Sequence, residues 1–268
     1  MFGNVFTLAG SFGMTGAAYF AAYSALKAGA GYSTIATGKS SASTIAAQAP
    51  DIVFVPLPET EDGFISEKAL DIVLEKSEKS NVYLIGPGLG AAESSIKLVE
   101  GFIRKLTDRG LNTIIDADGL NCLSMLENMV LPVNSVITPH AKELSRLLKT
   151  TVEEVLEDRI AAATKAAAEF NTIVVLKGAR TIIASPDGRI FISPVGSSAL
   201  AKAGTGDVLS GIIAGLAAQE IELLNAAVLG VYIHGMAGEI ASEYLTEHSV
   251  TASELINYIP DAIKVLED

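Results

Sequence analysis

The sequence holds few of the residues that cross-link chains or bind polyanions. Cys122 is its one cysteine, so an internal disulfide and a metal cage of thiolates are both excluded. Tryptophan is absent, and histidine occurs three times. The 19 lysine and arginine residues are outnumbered by 31 acidic residues, which leaves a formal net charge of −12. An acidic chain with a single thiol suits a reducing compartment.

These deficits also exclude several partners. Binding to nucleic acid or to an anionic membrane needs clustered basic residues, and the sequence has no such cluster. The opening stretch MFGNVFTLAGS has no basic residues before its apolar run, so it does not predict a signal peptide. The apolar stretch 223–238 is shorter than the roughly 20 residues that cross a bilayer and predicts a buried helix. We expect a cytoplasmic protein.

Apolar residues, by contrast, are abundant and occur in short runs. They make up 49% of the 268 positions, which is enough for a sizeable core. Runs that are apolar on both faces predict strands at 4–9, 51–55, 82–86, 112–116, 135–138 and 172–177. Helical patterns lie at 16–29, 93–110 and 151–170, and the last opens with a capping box of Thr151 and Glu154. This alternation predicts an α/β fold with a mostly parallel, doubly wound sheet flanked by helices.

The pattern changes in the C-terminal half. The stretch TIIASPDGRIFISP (181–194) predicts a β-hairpin that turns at Asp187-Gly188. Two or three helices are expected from Gly206 to about Leu266. Because the sequence shows no linker, low-complexity segment or solenoid repeat, we predict a single domain over 1–268.

Glycine-rich stretches suggest three phosphate-binding loops. STIATGKSS (33–41) has Ser33 where a Walker A loop needs glycine, so an ordinary strand-to-helix turn is predicted. The glycines of GAGYST (29–34) end a helix, although a dinucleotide fingerprint needs them to open one. The third candidate is a pair of turns, GPGLG (86–90) after a strand and GTGD (204–207) at the start of a helix.

In GTGD, Gly204, Thr205 and Gly206 would form an anion hole, because glycines let phosphate approach the N–H groups and partial positive charge of a helix N-terminus. Asp207 would stand at its rim. The alternative, an acid favoured there by the helix dipole alone, leaves unexplained why two glycines weaken the turn.

Polar residues follow other predicted strands. VITPHAKEL (136–144) offers His140 and Glu143 to a ligand, or forms a capping box with Thr138 as N-cap. Asp116 and Asp118 would hold Mg²⁺ through water, or form an Asx turn in which Asp118 caps a helix.

Three further positions complete the set. Lys177 would meet a nucleotide phosphate or end its strand in solvent. His234 is predicted to be a hydrogen-bonded core residue and His248 a surface residue. Because the carboxyl ends of parallel strands share one edge of a sheet, we expect the polar sites to lie close together there.

The order of these motifs resembles a known family. AGSFGMTGAAYFAAYSALKAGAG, GPGLG, DADGLN, TPHAKE, VVLKGARTII and AKAGTGDVLSGIIAGLAAQ are similar to motifs of the ADP/ATP-dependent NAD(P)H-hydrate dehydratases, a branch of the ribokinase-like superfamily. The resemblance covers nearly the whole chain. It implies a lyase that dehydrates the 6S epimer of hydrated NADH or NADPH and consumes ADP or ATP.

The resemblance also implies roles for individual residues. Nucleotide-binding residues would be Lys177, Gly178, Ala179, Arg180, Thr181 and Gly206, and substrate-binding residues would be Ala17, Ala18, Gly88, His140 and Asp207. Mg²⁺ is expected with the nucleotide; its protein ligands stay open among Asp116, Asp118 and Glu143. The resemblance further implies a homo-oligomer, a tetramer, acting alongside a separate NAD(P)H-hydrate epimerase. A Lys-Gly-x-x-Gly segment that usually precedes the first strand is here Met1-Phe2-Gly3-Asn4 without the lysine.

As a mechanism, Asp207 is expected to act as general base on the hydroxyl of the hydrate while the GTGD amides stabilise the transferred phosphoryl group. Because a helix N-terminus lowers an acid's pKa, we expect Asp207 to be ionised and only modestly basic. Two other functions share the same residues, namely a ribokinase-like kinase of a small molecule such as a vitamin precursor and a non-catalytic sensor of adenine nucleotides.

Overall fold

Nine strands form one sheet within residues 2–267, which are the residues that the computed structural model describes. They are β1 (Asn4–Leu8), β2 (Tyr32–Gly38), β3 (Val53–Leu57), β4 (Val82–Ile85), β5 (Asn112–Ile115), β6 (Ser135–Ile137), β7 (Ile173–Leu176), β8 (Ile182–Ala184) and β9 (Ile190–Ile192). Their spatial order is β3-β2-β1-β4-β5-β6-β7-β8-β9. Strands β1 to β7 pair in parallel, and β8 and β9 extend the sheet as antiparallel strands.

Helices surround this sheet. Over residues 2–267 they are α1 (Thr15–Lys27), α2 (Lys39–Ala46), α3 (Leu70–Ser77), α4 (Glu93–Arg109), α5 (Asp118–Ser124), α6 (Ala141–Leu147), α7 (Val152–Glu157), α8 (Arg159–Phe170), α9 (Thr205–Ala217), α10 (Leu223–Tyr244), α11 (Ala252–Asn257) and α12 (Ile259–Glu267). Short 3-10 turns lie at Glu67–Ala69 and Ser198–Leu200.

The central strands are apolar throughout because both faces of the sheet are covered. In β4, Val82 and Leu84 join one apolar cluster with α1 and α9 to α12, whereas Tyr83 and Ile85 join a second cluster with α3 to α8. All four side chains are fully buried. The predicted mostly parallel, doubly wound α/β fold is therefore confirmed.

The predicted hairpin is also confirmed. Its turn is closed by the backbone N–H of Ser185, which donates to Arg189 O at 2.9 Å, and Asp187 Oδ1 accepts from Arg189 N at 3.2 Å. The bounds of the predicted domain, 1–268, stay a prediction, and Met1 and Asp268 lie outside the described residues.

Two helix predictions were wrong. The pattern at 151–170 is two helices, because Asp158 is extended (φ −140°, ψ 88°) and its Oδ1 caps α8 by accepting from Ala161 N at 2.9 Å. The capping box of Thr151 and Glu154 is confirmed at the start of α7. At the C-terminal end, the described residues from Thr205 to Glu267 form four helices rather than two or three.

Helix α10 contains the predicted buried stretch. Among residues 2–267 it is the one helix long and apolar enough to cross a bilayer, but 61% of its apolar window is buried inside the fold. Its apolar residues belong to the same cluster as those of α9. This burial is typical of a core helix and confirms the prediction.

Candidate active site

The loops that follow β1, β4, β5, β6 and β7 lie side by side at one edge of the sheet. Backbone hydrogen bonds join them in sequence: Gly10 N to Pro87 O (2.8 Å), Asp116 N to Ile85 O (3.0 Å), Thr138 N to Ile115 O (3.1 Å) and Lys177 N to Pro139 O (2.8 Å). The predicted grouping of the polar strand ends is therefore present in the structure.

The GPGLG turn (86–90) needs its glycines for close approach. A Cβ on Gly86, whose φ is +128°, would collide with the carbonyl oxygen of Asp116. A Cβ on Gly88, whose φ is +65°, would lie 2.9 Å from the Cβ of Ala17. The turn is thus pressed between the loop after β5 and the first turn of α1, which places two of the predicted substrate residues, Gly88 and Ala17, in contact.

Ala18 differs from its neighbour Ala17. Its side chain is fully buried in a small cluster with Ile35 and Ile45, whereas Ala17 is half-buried. Of the two predicted substrate residues in this helix, only Ala17 can therefore present its side chain to a ligand.

Lys177 lies at the centre of the site. Its Nζ is 2.7 Å from Asp116 Oδ1 and 4.0 Å from Glu143 Oε2. On another side, a Cβ added to Gly206 would lie 3.3 Å from this Nζ. Burial lowers the pKa of Lys177, but the charges of Asp116 and Glu143 raise it, and the net shift is upward. Lys177 is therefore an ammonium group among carboxylates.

Asp207 has an unusual pKa for a carboxylic acid. Burial, followed by the negative charge of Asp116, raises its pKa from the usual 3.8 to about 8, although Lys177 opposes the shift. The expectation of an ionised, weakly basic Asp207 was wrong. A helix N-terminus stabilises an acid by about 0.3–2 kcal/mol, and desolvation together with neighbouring carboxylates outweighs that effect here.

The GTGD turn (204–207) opens α9, and its backbone N–H groups are only partly paired. Gly204 has φ +90°, and a Cβ there would lie 2.8 Å from the ring of Phe20. Within the described residues, the N–H groups of Gly206 and Asp207 have no protein acceptor, whereas Thr205 N lies 3.3 Å from Lys202 O. Of the predicted anion-hole residues, Thr205 is thus the least available to an anion.

Thr205 instead shapes the turn. Its hydroxyl lies 2.6 Å from Leu200 O and 2.8 Å from Lys202 O, and its carbonyl oxygen lies 2.8 Å from Nε2 of His234 in α10. His234 is 8% exposed, and burial lowers its pKa to about 4, so it is neutral and its Nε2–H donates to Thr205. The interpretation of His234 as a hydrogen-bonded core residue is confirmed, but its contact with the GTGD turn was not predicted.

His140 and Glu143 form a capping box at the start of α6. Glu143 N donates to His140 Nδ1 at 3.1 Å, and His140 N donates to Glu143 Oε2 at 2.8 Å. The N-cap is thus His140, and the alternative with Thr138 as N-cap was wrong, because Thr138 directly follows β6 and its buried hydroxyl donates to Ile115 O at 3.5 Å. The His140 side chain is 51% exposed and lies at the rim of the site.

The two aspartates after β5 have different partners. Asp118 accepts from Gly90 N at 2.8 Å and from Asn121 Nδ2 at 3.1 Å, so it ties the GPGLG turn to α5. The alternative in which Asp118 caps the helix was wrong, because Ala117 holds the N-cap position without a side-chain bond. Asp116 Oδ1 is shared by Lys177 Nζ and Ala117 N, but its Oδ2 is buried and has no partner.

This donor set fits Mg²⁺ held mainly by phosphate and water. No group of three or more His, Cys, Asp or Glu residues in the described chain forms a closed metal site. Mg²⁺ usually takes only one or two carboxylates and keeps several waters. Of the three candidates, Asp116 has an unused carboxylate oxygen, whereas both oxygens of Asp118 already accept hydrogen bonds.

The loop after β7, residues 177–181, is held by a residue that the sequence analysis missed. Arg159, at the start of α8, donates to Ala179 O at 2.6 Å and to Leu176 O at 3.2 Å. No sequence signal pointed to it, because the predicted continuous helix 151–170 concealed its position next to Asp158. Gly178 and Arg180 in this loop have φ values of +145° and +53°.

Comparison with known proteins gives relatives along the whole chain. The family model described as NAD(P)H-hydrate dehydratase matches residues 5–261. The bifunctional NAD(P)H-hydrate repair enzyme Nnr of Moorella thermoacetica is 40% identical over an alignment of 270 residues, covering 100% of this chain and 50% of that protein. The ADP-dependent (S)-NAD(P)H-hydrate dehydratase of Neisseria meningitidis is 36% identical over 247 residues, covering 90% and 78%.

A solved structure has a similar fold. The ADP/ATP-dependent NAD(P)H-hydrate dehydratase of Bacillus subtilis, co-crystallised with ATP/Mg²⁺ and soaked with CoA, superposes with a TM-score of 0.85 at 33% identity, covering 98% of this chain and 92% of that one. The chain spans about half the length of the bifunctional relatives that it matches.

Proposed function

The chain belongs to the NAD(P)H-hydrate dehydratase family, and from this membership we propose that it dehydrates the 6S epimer of hydrated NADH and NADPH, using ADP or ATP as phosphoryl donor. The products are NADH or NADPH, AMP or ADP, and phosphate. One observation carries the proposal for this chain. The Lys177 ammonium lies against Gly206, the residue before the high-pKa Asp207, and within residues 2–267 the N–H groups of Gly206 and of the 177–181 loop after Lys177 have no protein acceptor.

The nucleotide is assigned to the 177–181 loop, called the nucleotide loop below, and to Gly206. Within residues 2–267, the backbone N–H groups of Gly178, Ala179, Arg180 and Thr181 have no protein acceptor. A run of free N–H groups in a turn is a common anion site. Gly206 lies against Lys177 Nζ, so a phosphate that contacts both would bridge the two loops.

The hydrated cofactor is assigned to Ala17, Gly88, His140 and Asp207. The contact between Ala17 and Gly88 makes a surface without bulky side chains, which suits a flat ring. His140 is exposed at the rim, where its ring can contact the polar part of a ligand. Ala18 would contribute through its backbone only, because its side chain is in the core.

Mg²⁺ would be held by the phosphates and by Asp116, whose Oδ2 would accept a hydrogen bond from a metal-bound water. Bound there, the ion supplies positive charge that stabilises the transferred phosphoryl group. Lys177 adds a second positive charge at the same place.

Asp207 would act as the general base. It takes the proton from the hydroxyl of the hydrate as that oxygen bonds to the terminal phosphorus and the bond from phosphorus to the AMP or ADP oxygen breaks. Phosphate then leaves with the C–O bond pair, aided by the ring nitrogen, and the adjacent carbon loses a proton. A pKa of about 8 suits this role, because a base is most effective when its pKa lies near the working pH.

The test is incubation with hydrated NADH and ADP or ATP, following phosphate release and the near-ultraviolet absorbance of reduced nicotinamide together. Dehydration predicts that both rise in equal amounts. Nucleotide consumption with retention of the phosphate on an alcohol, and without recovery of absorbance, would instead support a small-molecule kinase. Nucleotide binding without any turnover would support a sensor.

Assembly and location belong to the same proposal. We propose a cytoplasmic homo-oligomer, a tetramer, that works with a separate epimerase supplying the 6S epimer. Relatives named bifunctional repair enzymes support a second activity in the same process. The edge strand β9 exposes Ile190, Phe191 and Ile192, which supports self-association. Light scattering measures the number of subunits, and a tetramer is expected. For the partnership, the R epimer should be consumed only after an epimerase is added.

A further inference from the structure

Arg159 contacts the nucleotide loop without forming an ion pair. Its side chain donates to three backbone carbonyls, from Nη1 to Ala179 O at 2.6 Å and from Nη2 to Leu176 O at 3.2 Å and Lys177 O at 3.5 Å. Among the described residues no carboxylate lies within salt-bridge distance of it. Its contacts are therefore with the backbone of the loop.

These contacts set the direction of the loop's peptide groups. In a planar trans peptide the C=O and the following N–H point in opposite directions. Because Arg159 holds the carbonyls of Lys177 and Ala179, the N–H groups of Gly178 and Arg180 point away from the guanidinium. Both are among the N–H groups of the loop that have no protein acceptor in residues 2–267.

The shape of the loop leaves room for this side chain. A Cβ on Gly178 would lie 2.9 Å from Nη2 of Arg159, and the φ of Gly178, +145°, is one that other residues rarely adopt. Arg180 also has a left-handed φ of +53°. Two such conformations among exposed residues need support. Arg159 supplies it from outside the loop, and within the loop the Thr181 hydroxyl donates to Gly178 O at 3.2 Å.

We propose that Arg159 is a positioning residue for nucleotide binding. It pins the carbonyls of the nucleotide loop so that the N–H groups of Gly178 and Arg180 face the phosphates, and it acts through the loop rather than on the nucleotide. The identity of the ligand rests on the proposed function, but the mechanical role of Arg159 rests on its hydrogen bonds.

The test compares Arg159→Gln and Arg159→Lys with the wild-type protein. Lysine keeps the positive charge but lacks the fork that reaches several carbonyls. We expect the Kd for ADP, measured by calorimetry, to rise about tenfold in both variants. The KM for ADP should rise in parallel, while kcat at saturating ADP changes less than about twofold. Arg189→Gln at the turn of the hairpin is the matched control, because within residues 2–267 the side chain of Arg189 forms its ion pair with Asp187 and does not contact the nucleotide loop.

Several outcomes would overturn the inference. Wild-type affinity for ADP in Arg159→Lys would show that only the positive charge matters. Wild-type affinity for ADP in Arg159→Gln would show that the hydrogen bonds from the guanidinium to the loop carbonyls are unnecessary. A fall in kcat with unchanged ADP affinity would place Arg159 elsewhere in the reaction. Unfolding curves verify that the variants are folded. If Arg159→Gln does not fold, Arg159→Lys alone tests the inference.

The same titrations separate this inference from the proposed function. A wild-type protein that binds ADP but leaves hydrated NADH unchanged would refute the dehydratase activity, while the comparison of Kd values still tests Arg159. A wild-type protein that binds no adenine nucleotide would overturn both.

Discussion

The two loops that meet at Lys177 are supported in opposite ways. The GTGD turn is fixed by buried contacts, with Phe20 against Gly204 and His234 on the carbonyl of Thr205. The nucleotide loop is exposed at 178–180, where its carbonyls accept hydrogen bonds from Arg159 of α8 and from the loop's own Thr181 hydroxyl. The proposed proton acceptor thus belongs to the core, and the proposed nucleotide contacts belong to the surface.

This difference predicts how the two loops respond to change. A buried turn cannot relax without disturbing its neighbours, so substitutions that add atoms to GTGD should lower both stability and kcat, and those that remove a needed group should lower kcat. An exposed loop relaxes into solvent at little cost, so disturbing it should mainly weaken nucleotide affinity. The Arg159 variants test the exposed side, and three changes test the buried side.

The largest effect is expected for Asp207→Asn. Removal of the general base should lower kcat by about 10²–10⁴-fold while ADP still binds. The variant should also be more stable near pH 8. The folded wild type keeps a proton on Asp207 up to about pH 8, whereas the unfolded chain releases it near 3.8, so rising pH destabilises the wild type through this window. Kinetics and chemical unfolding at pH 8 measure both effects.

Asp187→Asn is the matched control for this change, since Asp187 is an exposed acid that pairs with Arg189. It should leave kcat unaltered. Undiminished turnover in Asp207→Asn would remove Asp207 from the mechanism, and a less stable Asp207→Asn protein at pH 8 would contradict the raised pKa.

A smaller effect is expected for Gly204→Ala. Gly204 has φ +90°, and the new Cβ would lie 2.8 Å from Phe20 and 2.9 Å from Ala252. Backbone strain and the collision together should lower the free energy of unfolding by about 3 kcal/mol and kcat by about tenfold. Thermal unfolding and steady-state kinetics measure these changes.

Gly188→Ala separates the two causes. Gly188 has nearly the same φ, +89°, but nothing lies within 4 Å of its added Cβ. It should lose about 1 kcal/mol from strain alone and keep full activity. Equal destabilisation in the two variants would show that the GTGD turn is not tightly packed.

The sequence predicted the fold because its signals were local and repeated. Strands apolar on both faces, such as β4, and the Asp187-Gly188 turn follow directly from residue pattern. The grouping of GPGLG, Asp116, His140 and Lys177 followed from topology alone, since all of them follow strands of a parallel sheet. GTGD instead opens α9, and tertiary packing brings it to the same place. The hydrogen-bond partners of acids such as Asp118 were not predicted, because the same carboxylate can form a local Asx turn or a tertiary hydrogen bond.

The sequence analysis did not predict features that depend on tertiary packing. The high pKa of Asp207 depends on burial near Asp116, which is 91 positions away along the chain, whereas the helix dipole was visible locally. Arg159 carries no motif, and its role depends on a helix break at Asp158. His234 was recognised as a core residue, but its partner, Thr205, is set by the packing of α10 on α9.

His234 gives the smallest and most specific effect. His234→Leu removes the donor to Thr205 O, so kcat should fall about threefold to tenfold, whereas His234→Gln keeps an N–H donor and should retain most activity. The stability of the wild type should fall as pH drops from 6.5 towards 4, because the unfolded histidine takes up a proton near 6.5 and the folded one only near 4. This acid-dependent loss of unfolding free energy, up to about 3 kcal/mol in the wild type, should be absent in both variants.

The comparison of the two variants decides what His234 does. If the GTGD turn is held by the hydrogen bond, Gln rescues kcat even though it lacks the acid-dependent loss of stability. If His234 only fills space, Leu and Gln should lower kcat equally, and the buried turn would owe its shape to Phe20 and Thr205 alone. Equal acid sensitivity of wild type and His234→Leu, measured by unfolding between pH 6.5 and 4, would contradict a buried neutral imidazole, and with it the placement of this turn in the core.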